Sequence, residues 1–554
     1  MKPLLNVLIL CLFFISCSTY KNNNYQNKFV KSSISKGKLV AEDWKDWQHK
    51  DIEKDSITGL SLDRAYALLK DKKADTTIIA VLDTRLINGN KDLSGFIWNN
   101  KLEVPNNNID DDKNGYIDDI HGWNFLGNTN GQQEYVANYE FVRIVKKYES
   151  LFKNKKRDDV KDTLNFDIYK SAEKALNNEI DIIHQNISYL DSIQNLKNNY
   201  KKEMEELFPS TSLDIKKIDS LLKTEKDSII IKKINFLKQY KSNEQWYVSR
   251  YQREREHLDI YYNKDYKERS IINDDSSNIL DRNYGNPTVF SDSIDPQHTH
   301  SIKVVGVLTA NRTNDYGIKG VTNSSKIMMV SVSPSGDEHD KDIALGIRYA
   351  VDNGAKIINI TFTKYFSQHS QWVKDALKYA ENNDVLVVCA AGNYNKNLDF
   401  EKYYPNDVND EGEEILNNFI LIGSSTPFSN QYLASYYSNY GKESVDIFAP
   451  GEFIYTTTNT VSFDYASGTS YATPIVSGVA ALIRSYYPNL TAAEVKQIIM
   501  ESGVSFDIMV NKPSTSKEKE LVPFSSLSKS GKIVNAYNAL LMAEEVSKKK
   551  KRRN

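Results

Sequence analysis

Cysteine is nearly absent: among 554 residues only Cys11, Cys17 and Cys389 carry thiols, too few for a disulfide framework. Long apolar runs are scarce as well. The run near the start, Leu4 to Ile15, is too short to cross a hydrocarbon layer ~30 Å thick, and no later stretch is long and apolar enough for a membrane helix. An excess of either charge is also missing, because 71 Lys and Arg stand against 73 Asp and Glu, for a formal net charge of −2. A chain so balanced exerts no long-range pull on polyanions, so nucleic acid is not an expected partner. Tryptophan is rare, six residues against 34 tyrosines, and with the abundant Asn and Lys this reads as coding bias rather than function. What is present, 40% hydrophobic and 26% charged residues, is the composition of an ordinary globular protein. Single cores rarely grow beyond ~250–300 residues, so more than one unit is expected.

Lys2 followed by the apolar run reads as an export signal. Phe14-Ile15-Ser16-Cys17 resembles the lipobox of bacterial lipoproteins, in which the cysteine becomes lipid-modified and N-terminal after cleavage. That resemblance implies a lipid anchor at Cys17, loss of residues 1–17, and a body tethered to a bilayer of the bacterial cell envelope, on its periplasmic or outer-membrane face. A plain signal peptide with an incidental cysteine is the competing reading. With Cys11 lost and Cys17 lipidated, Cys389 has no thiol to pair with.

Short β-branched runs at Thr76 to Leu82, Lys326 to Val332, Lys356 to Phe362, Val385 to Ala390 and Phe419 to Ser424 read as buried strands. Helical spacing appears between them, as in Ile343, Ile347 and Ala350, or Trp372, Ala376 and Tyr379. Strand alternating with helix implies an α/β fold with a largely parallel sheet covered on both faces. Residues 131–280 differ: they are rich in Lys, Glu, Asp and Asn, with apolar stripes Phe141, Val145, Tyr148, Phe152 and Ile180, Ile183, Ile187, Leu190. They read as a helical insertion, either a solvated helix pair or an element that recruits substrate or a partner. The expected organisation is a signal peptide at 1–17, an N-terminal extension at 18–75, a catalytic domain split into 76–130 and 281–540 by the insertion, and a basic solvated tail at 541–554.

The strongest chemical signal is Ser467-Gly468-Thr469-Ser470-Tyr471-Ala472-Thr473-Pro474, followed by a helical run from Ile475 to Ile483. A serine at a helix N-terminus gains from the dipole and from free N–H groups that can bind a developing oxyanion. Gly468 permits close backbone approach, Gly478 lets the helix sit close to the sheet, and Pro474 is expected in the first turn, where N–H groups lack helical partners. The segment resembles the Gly-Thr-Ser-x-Ala-x-Pro nucleophile motif of the subtilases, the subtilisin-like serine peptidases. Three more segments match that family in order: Ile79-Ala80-Val81-Leu82-Asp83-Thr84, Val387 to Asn393, and Val445-Asp446-Ile447-Phe448-Ala449-Pro450-Gly451. His300-Ser301-Ile302-Lys303-Val304-Val305-Gly306 resembles the family's histidine motif in degraded form, with His298 as the competing candidate. The resemblance covers roughly Ile78 to Trp123 and Asn283 to Ala539. It implies the subtilisin-like three-layer fold, a triad of Asp83, His300 and Ser470 in that chain order, Asn393 as oxyanion donor, and serine endopeptidase activity on protein or peptide substrates with no cofactor needed for the chemistry. An esterase on the α/β-hydrolase fold is disfavoured by triad order and by the lack of Gly-x-Ser-x-Gly.

Three departures stand out: Arg85 in place of glycine, Lys303 in place of the second motif histidine, and Thr361-Phe362-Thr363 in place of Ser-x-Gly. The last falls where the family pairs with extended peptide, so Thr361, Phe362 and Thr363 are expected to bind substrate, with Thr363 adding bulk. A catalytically weak member that binds peptides by strand addition is the alternative reading. Finally, Asp110, Asp112, Asn114 and Asp118 occupy positions 1, 3, 5 and 9 of a calcium loop, with Gly115 at the sharp turn, although His121 stands where the twelfth-position Glu belongs. Structural calcium is expected there; an Asp/Asn/Gly turn held by its own side chains is the alternative.

Overall fold

The structure is a computed structural model describing residues 25–209, 215–292, 299–409 and 411–553. Cys17, the rest of the signal segment, and His298 lie outside the described residues. Nine strands form the main sheet, in the spatial order Val504–Ser505, Lys532–Ile533, Ile447–Pro450, Phe419–Ser425, Leu386–Ala390, Ile357–Ile360, Thr77–Asp83, Ser325–Ser331 and Gly122–Asn124. All neighbouring pairs are parallel except Val504–Ser505 with Lys532–Ile533. The five strands expected from sequence are all present, at the centre of the sheet. Their continuous apolar character has a simple cause: alternate residues enter opposite cores, Ile79 and Val81 one, Ala80 and Leu82 the other.

The first core is covered by helices Leu62–Leu69, His300–Thr309, Thr469–Tyr486, Ala492–Ser502 and Ala536–Arg553; the second lies under Asp340–Asp352 and Ser370–Asn382. This is the expected three-layer α/β architecture. In Ser370–Asn382 the buried face is Val373, Ala376, Leu377 and Ala380, one step round from the expected stripe, because Trp372 stacks on His369 with centroids 3.9 Å apart and the Tyr379 hydroxyl reaches Asp352 at 2.6 Å. Gly478 does permit close approach, but to Val321 rather than to the sheet: a Cβ there would stand 2.6 Å from the Val321 Cβ.

Both ends of the described residues are built into this body. Trp47, Ile57, Leu60 and Leu62 are fully buried in the first core, and Trp47 Nε1 donates to the carbonyl of Glu452 at 3.0 Å. Val30 N donates to Asn538 Oδ1 at 2.8 Å across 508 residues, and Ala536 N to the Leu60 carbonyl at 2.9 Å. The expected solvated tail is corrected in part: residues 541–553 continue the helix that starts at Ala536, and Leu541, Met542 and Ala543 are buried. Their apolar side chains precede the lysine run and pack on the core, and Lys550 pairs with Glu494 at 2.7 Å.

Between the strands Gly122–Asn124 and Phe290–Ser291 lie helices Glu140–Phe152, Thr163–Leu207, Ile215–Thr224, Ser228–Ser242 and Glu244–Glu256. Thr163–Leu207 has 45 residues, ~65 Å of helix. Its neighbours pack along it through small apolar clusters of their own, one around Val145, Phe152, Tyr169 and Ile183, another around Met204 and Ile234. Among the described residues no helix is long and apolar enough to cross a membrane.

Candidate active site

Asp83 ends its strand at the carboxyl edge of the sheet, between the Ser325–Ser331 and Ile357–Ile360 strands. Parallel strands all point their carboxyl ends to one edge, which is why segments distant in sequence meet here. His300 opens one helix and Ser470 is the second residue of another. The Ser301 hydroxyl donates to the Arg85 carbonyl at 2.7 Å and pins the start of the histidine helix beside Asp83.

Asp83 is 1% exposed, and its two carboxylate oxygens lie 2.9 and 2.8 Å from His300 Nδ1. It also accepts from Thr84 N at 2.7 Å and from the Thr361 hydroxyl. Burial alone would raise its pKa, but the His300 imidazole and the donated hydrogen bonds outweigh burial and hold the carboxyl below the usual range. The same pair acts on His300 in reverse. Crowding around the ring disfavours the imidazolium, yet Asp83 more than compensates and raises the pKa above the ordinary histidine value. The imidazole side chain remains about a third exposed, at 35%, so substrate can reach it. Because Nδ1 is committed to a carboxylate, Nδ1 carries the proton and Nε2 is the free base.

Ser470 is joined to this pair through Thr361. Its Oγ donates to the Thr361 carbonyl at 2.9 Å, while the Thr361 side chain donates to Asp83. The Tyr471 ring lies 5.9 Å from the His300 ring, centroid to centroid, which places the two helix starts side by side. Pro474 corrects the expected first-turn placement: the helix starts at Thr469, so Pro474 is its sixth residue, and the helical bond it cannot make is the one to the Ser470 carbonyl.

Asn393 follows a turn in which Gly392 has φ +100° and a Cβ would meet Asn439 Nδ2 at 2.6 Å; only glycine fits. The Thr469 N–H and hydroxyl both donate to Asn393 Oδ1, at 2.8 and 3.0 Å. Two donors on one amide atom identify it as the oxygen, so the NH₂ group is left to face the other way, over Gly468, whose Cβ position lies 3.4 Å from Nδ2. Asn393 is exposed, and its amide is available to a ligand.

The expected substrate residues are divided. Thr361 is buried and its side chain turns inward to Asp83, so that group supports the site rather than facing a ligand. The Thr363 hydroxyl donates to the Ala390 carbonyl, against Gly392. Phe362 is half-buried. Arg85 is accommodated because its guanidinium runs out to the Tyr135 hydroxyl at 2.8 Å. Thr361 as a support of both Asp83 and Ser470 was missed in the sequence, where the only signal was its place in a strand-end motif.

The acidic loop also differs from expectation. The carboxylates that come within 4.8 Å of one another are Glu103, Asp112 and Asp119. Asp110 accepts from Asn114 N and Gly115 N, and Asp118 from Asn107 N and Asn108 N, so those two side chains close turns instead. Asn114 donates its amide to Asp112 and Asp119. Of the expected set only Asp112 joins the cluster. Three carboxylates are a hard-oxygen donor set that fits calcium, and burial pushes Asp119 up to about 6, a proton's tendency that a bound cation would oppose.

The largely parallel sheet thus gathers a carboxylate, an imidazole and a helix-borne serine at its carboxyl edge. The model of the subtilase family matches residues 74–520, and the chain belongs to that family. Among curated relatives it is 34% identical to a thermophilic serine proteinase of Bacillus sp. (strain AK1) over 207 residues, 37% of this chain and 47% of that protein. It is 35% identical to thermitase of Thermoactinomyces vulgaris over 188 residues, 34% of this chain and 61% of that protein. Over 202 residues it is 34% identical to the major intracellular serine protease of Bacillus subtilis (strain 168), 35% of this chain and 58% of that protein. The chain thus spans about half to three-fifths of the length of these relatives.

Proposed function

We propose that this protein is a serine endopeptidase in which His300 takes the proton of Ser470 as its hydroxyl attacks a peptide carbonyl, with Asp83 holding the imidazole. Asn393 and the backbone N–H of Ser470 stabilise the oxyanion. His300 then gives its proton to the leaving amine, and water, deprotonated by the same base, releases the acyl group. The observation that carries this reading is the continuous set of contacts from His300 to Asp83 to Thr361 to Ser470.

A second reading, a catalytically weak protein that binds extended peptide, draws on the resting hydrogen bond of Ser470 to Thr361, which attack must break, and on Thr363 seated against Gly392. A serine-directed fluorophosphonate separates the two. Labelling of the wild type that vanishes in Ser470→Ala and His300→Ala but survives in His298→Ala supports the peptidase; no labelling of folded wild type supports the binder.

Three further parts belong to the proposal. The five-helix segment is an insertion into the catalytic domain, between strands that pack in the same fold. Glu103, Asp112 and Asp119 hold a structural calcium ion whose charge would fix the surrounding loop. Cys17 anchors the exported body to an envelope bilayer, and incorporation of radiolabelled palmitate that persists in Cys17→Ala would refute the anchor.

A further inference from the structure

The helical unit meets the catalytic core through a buried set of charges beside the active site. Lys364, one residue after Thr363, is a lysine with no exposed surface. Its Nζ lies 2.9 Å from Asp340 Oδ1 and 3.3 Å from Glu140 Oε2, and donates to the Glu338 carbonyl at 2.7 Å. Its backbone is fixed on the other side by paired hydrogen bonds with Tyr404, at 2.9 and 2.8 Å.

Glu140 begins the first helix of the inserted unit and is 2% exposed. One carboxylate ties down two points of the 361–368 segment and a residue of its own helix. Oε2 is shared by Lys364 and Arg143, while Oε1 accepts from Gln368 N at 2.9 Å. The Glu140 N–H donates to Asp337 Oδ2 at 2.8 Å, and Arg143 donates to the carbonyls of Asn138 and Asp337. The other charged groups facing the cluster are Asp337, whose Oδ2 accepts from the Glu140 N–H, Glu338, which accepts from the Ser333 hydroxyl at 2.9 Å, Glu268, 3.4 Å from both Arg143 and His339, and Asp340, which also accepts from Ser367 and from His369 N. The 361–368 segment is therefore fastened to the Glu140 side chain and the 337–340 segment to the Glu140 N–H and the Arg143 guanidinium, all on the first helix of the helical unit, and the 361–368 segment contains the Thr361 carbonyl that receives the Ser470 hydroxyl.

We propose that Glu140 is a positioning residue for substrate binding: through Lys364 and Gln368 it sets the course of Phe362 and Thr363, beyond Thr361, which the strand end and its own bond to Asp83 hold in place, so the helical unit shapes the edge on which an extended peptide lies. This rests on the peptidase reading above. Uncoupling Glu140 should loosen the peptide's seat while leaving the Asp83, His300 and Ser470 centre intact, because Asp83 and Ser470 are held by the sheet and by their own helix.

The test is Glu140→Gln in the full chain. Gln retains the bulk and an acceptor for Gln368, Lys364 keeps Asp340, and Arg143 keeps Glu268, so no buried charge is stranded. KM for an extended peptide is expected to rise roughly tenfold, the scale of one charge-assisted hydrogen bond, with kcat and the rate of fluorophosphonate labelling within about twofold of wild type. Glu140→Asp, one methylene shorter with the charge kept, should fall between the two and carries the comparison if the Gln variant does not fold. Glu203→Gln, which removes a surface pair between the long helix and Lys233 of Ser228–Ser242, should leave KM unchanged. Unaltered KM in both Glu140 variants, or equal losses in kcat, KM and labelling, overturns the positioning role while the peptidase reading stands. Absence of labelling in wild type overturns both.

Discussion

Replacing Thr361 by valine removes one hydroxyl and little else. The two side chains share a branched shape, so no cavity opens and the transfer term is small. The group lost is the donor to Asp83, in a place where Thr361 is 5% and Asp83 1% exposed and water has no access to substitute. A hydrogen bond to a charged partner contributes about 1.5–3 kcal/mol net. Asp83 keeps Thr84 N and His300, so the lower part of that range, about 1.5–2 kcal/mol at pH 7, is expected. The pH dependence follows from the direction of the Asp83 shift. Its folded-state pKa is depressed, so what its partners contribute is present above the unfolded value of ~3.9 and is lost as pH falls through the folded value. The stability gap between wild type and Thr361→Val should therefore be full at pH 7 and shrink toward pH 3. Urea unfolding followed by the fluorescence of buried Trp47 and Trp123 measures it. A gap below about 0.5 kcal/mol at pH 7, well under the net value of such a bond, or one equally large at both pH values, would refute the reasoning.

The raised pKa of His300 places the acid limb of kcat/KM above the ordinary histidine value of ~6.5; a profile flat from about pH 5 to 9 contradicts its role as base. Its stabilising effect has the opposite sense to that of Asp83, present in acid and lost as pH rises through the folded value. Trp47→Ala should cost about 3–5 kcal/mol, because a fully buried indole leaves both a void and the Glu452 carbonyl without its donor; an unchanged Tm would show that the extension is not integral to the core. Chelation should lower the Tm of wild type and not that of an Asp112→Asn/Asp119→Asn double variant, and no response in wild type removes the calcium proposal.

The strands were legible because each is a short β-branched run buried on both faces, as at Thr77–Asp83, and Ser470 because its setting is a contiguous motif. Features that arise only when distant segments meet were not. Thr361 supports Asp83 because the Ile357–Ile360 strand lies beside Thr77–Asp83, a neighbour relation that no local pattern encodes. Glu103 enters the carboxylate cluster from outside the acidic loop, and Asp119 lies at a position that the calcium-loop register skips. Near residue 541 the lysine run is the louder local signal, although Leu541 to Ala543 just before it are core residues. The Glu140 and Lys364 contact, 224 residues apart, has no sequence signal at all.

Val30 bonded to Asn538, and Leu60 to Ala536, close a circuit between the first and last stretches of the described residues. In biosynthesis this acts as a clock. The strand carrying Asp83 waits for residues 325–331 and 357–360 to emerge, the helix carrying Ser470 follows by more than a hundred residues, and the first core is sealed only when Ala536–Arg553 has been made. Folding dominated by such remote pairings is slow, so Asp83, His300 and Ser470 come together only after most of the described residues have been made.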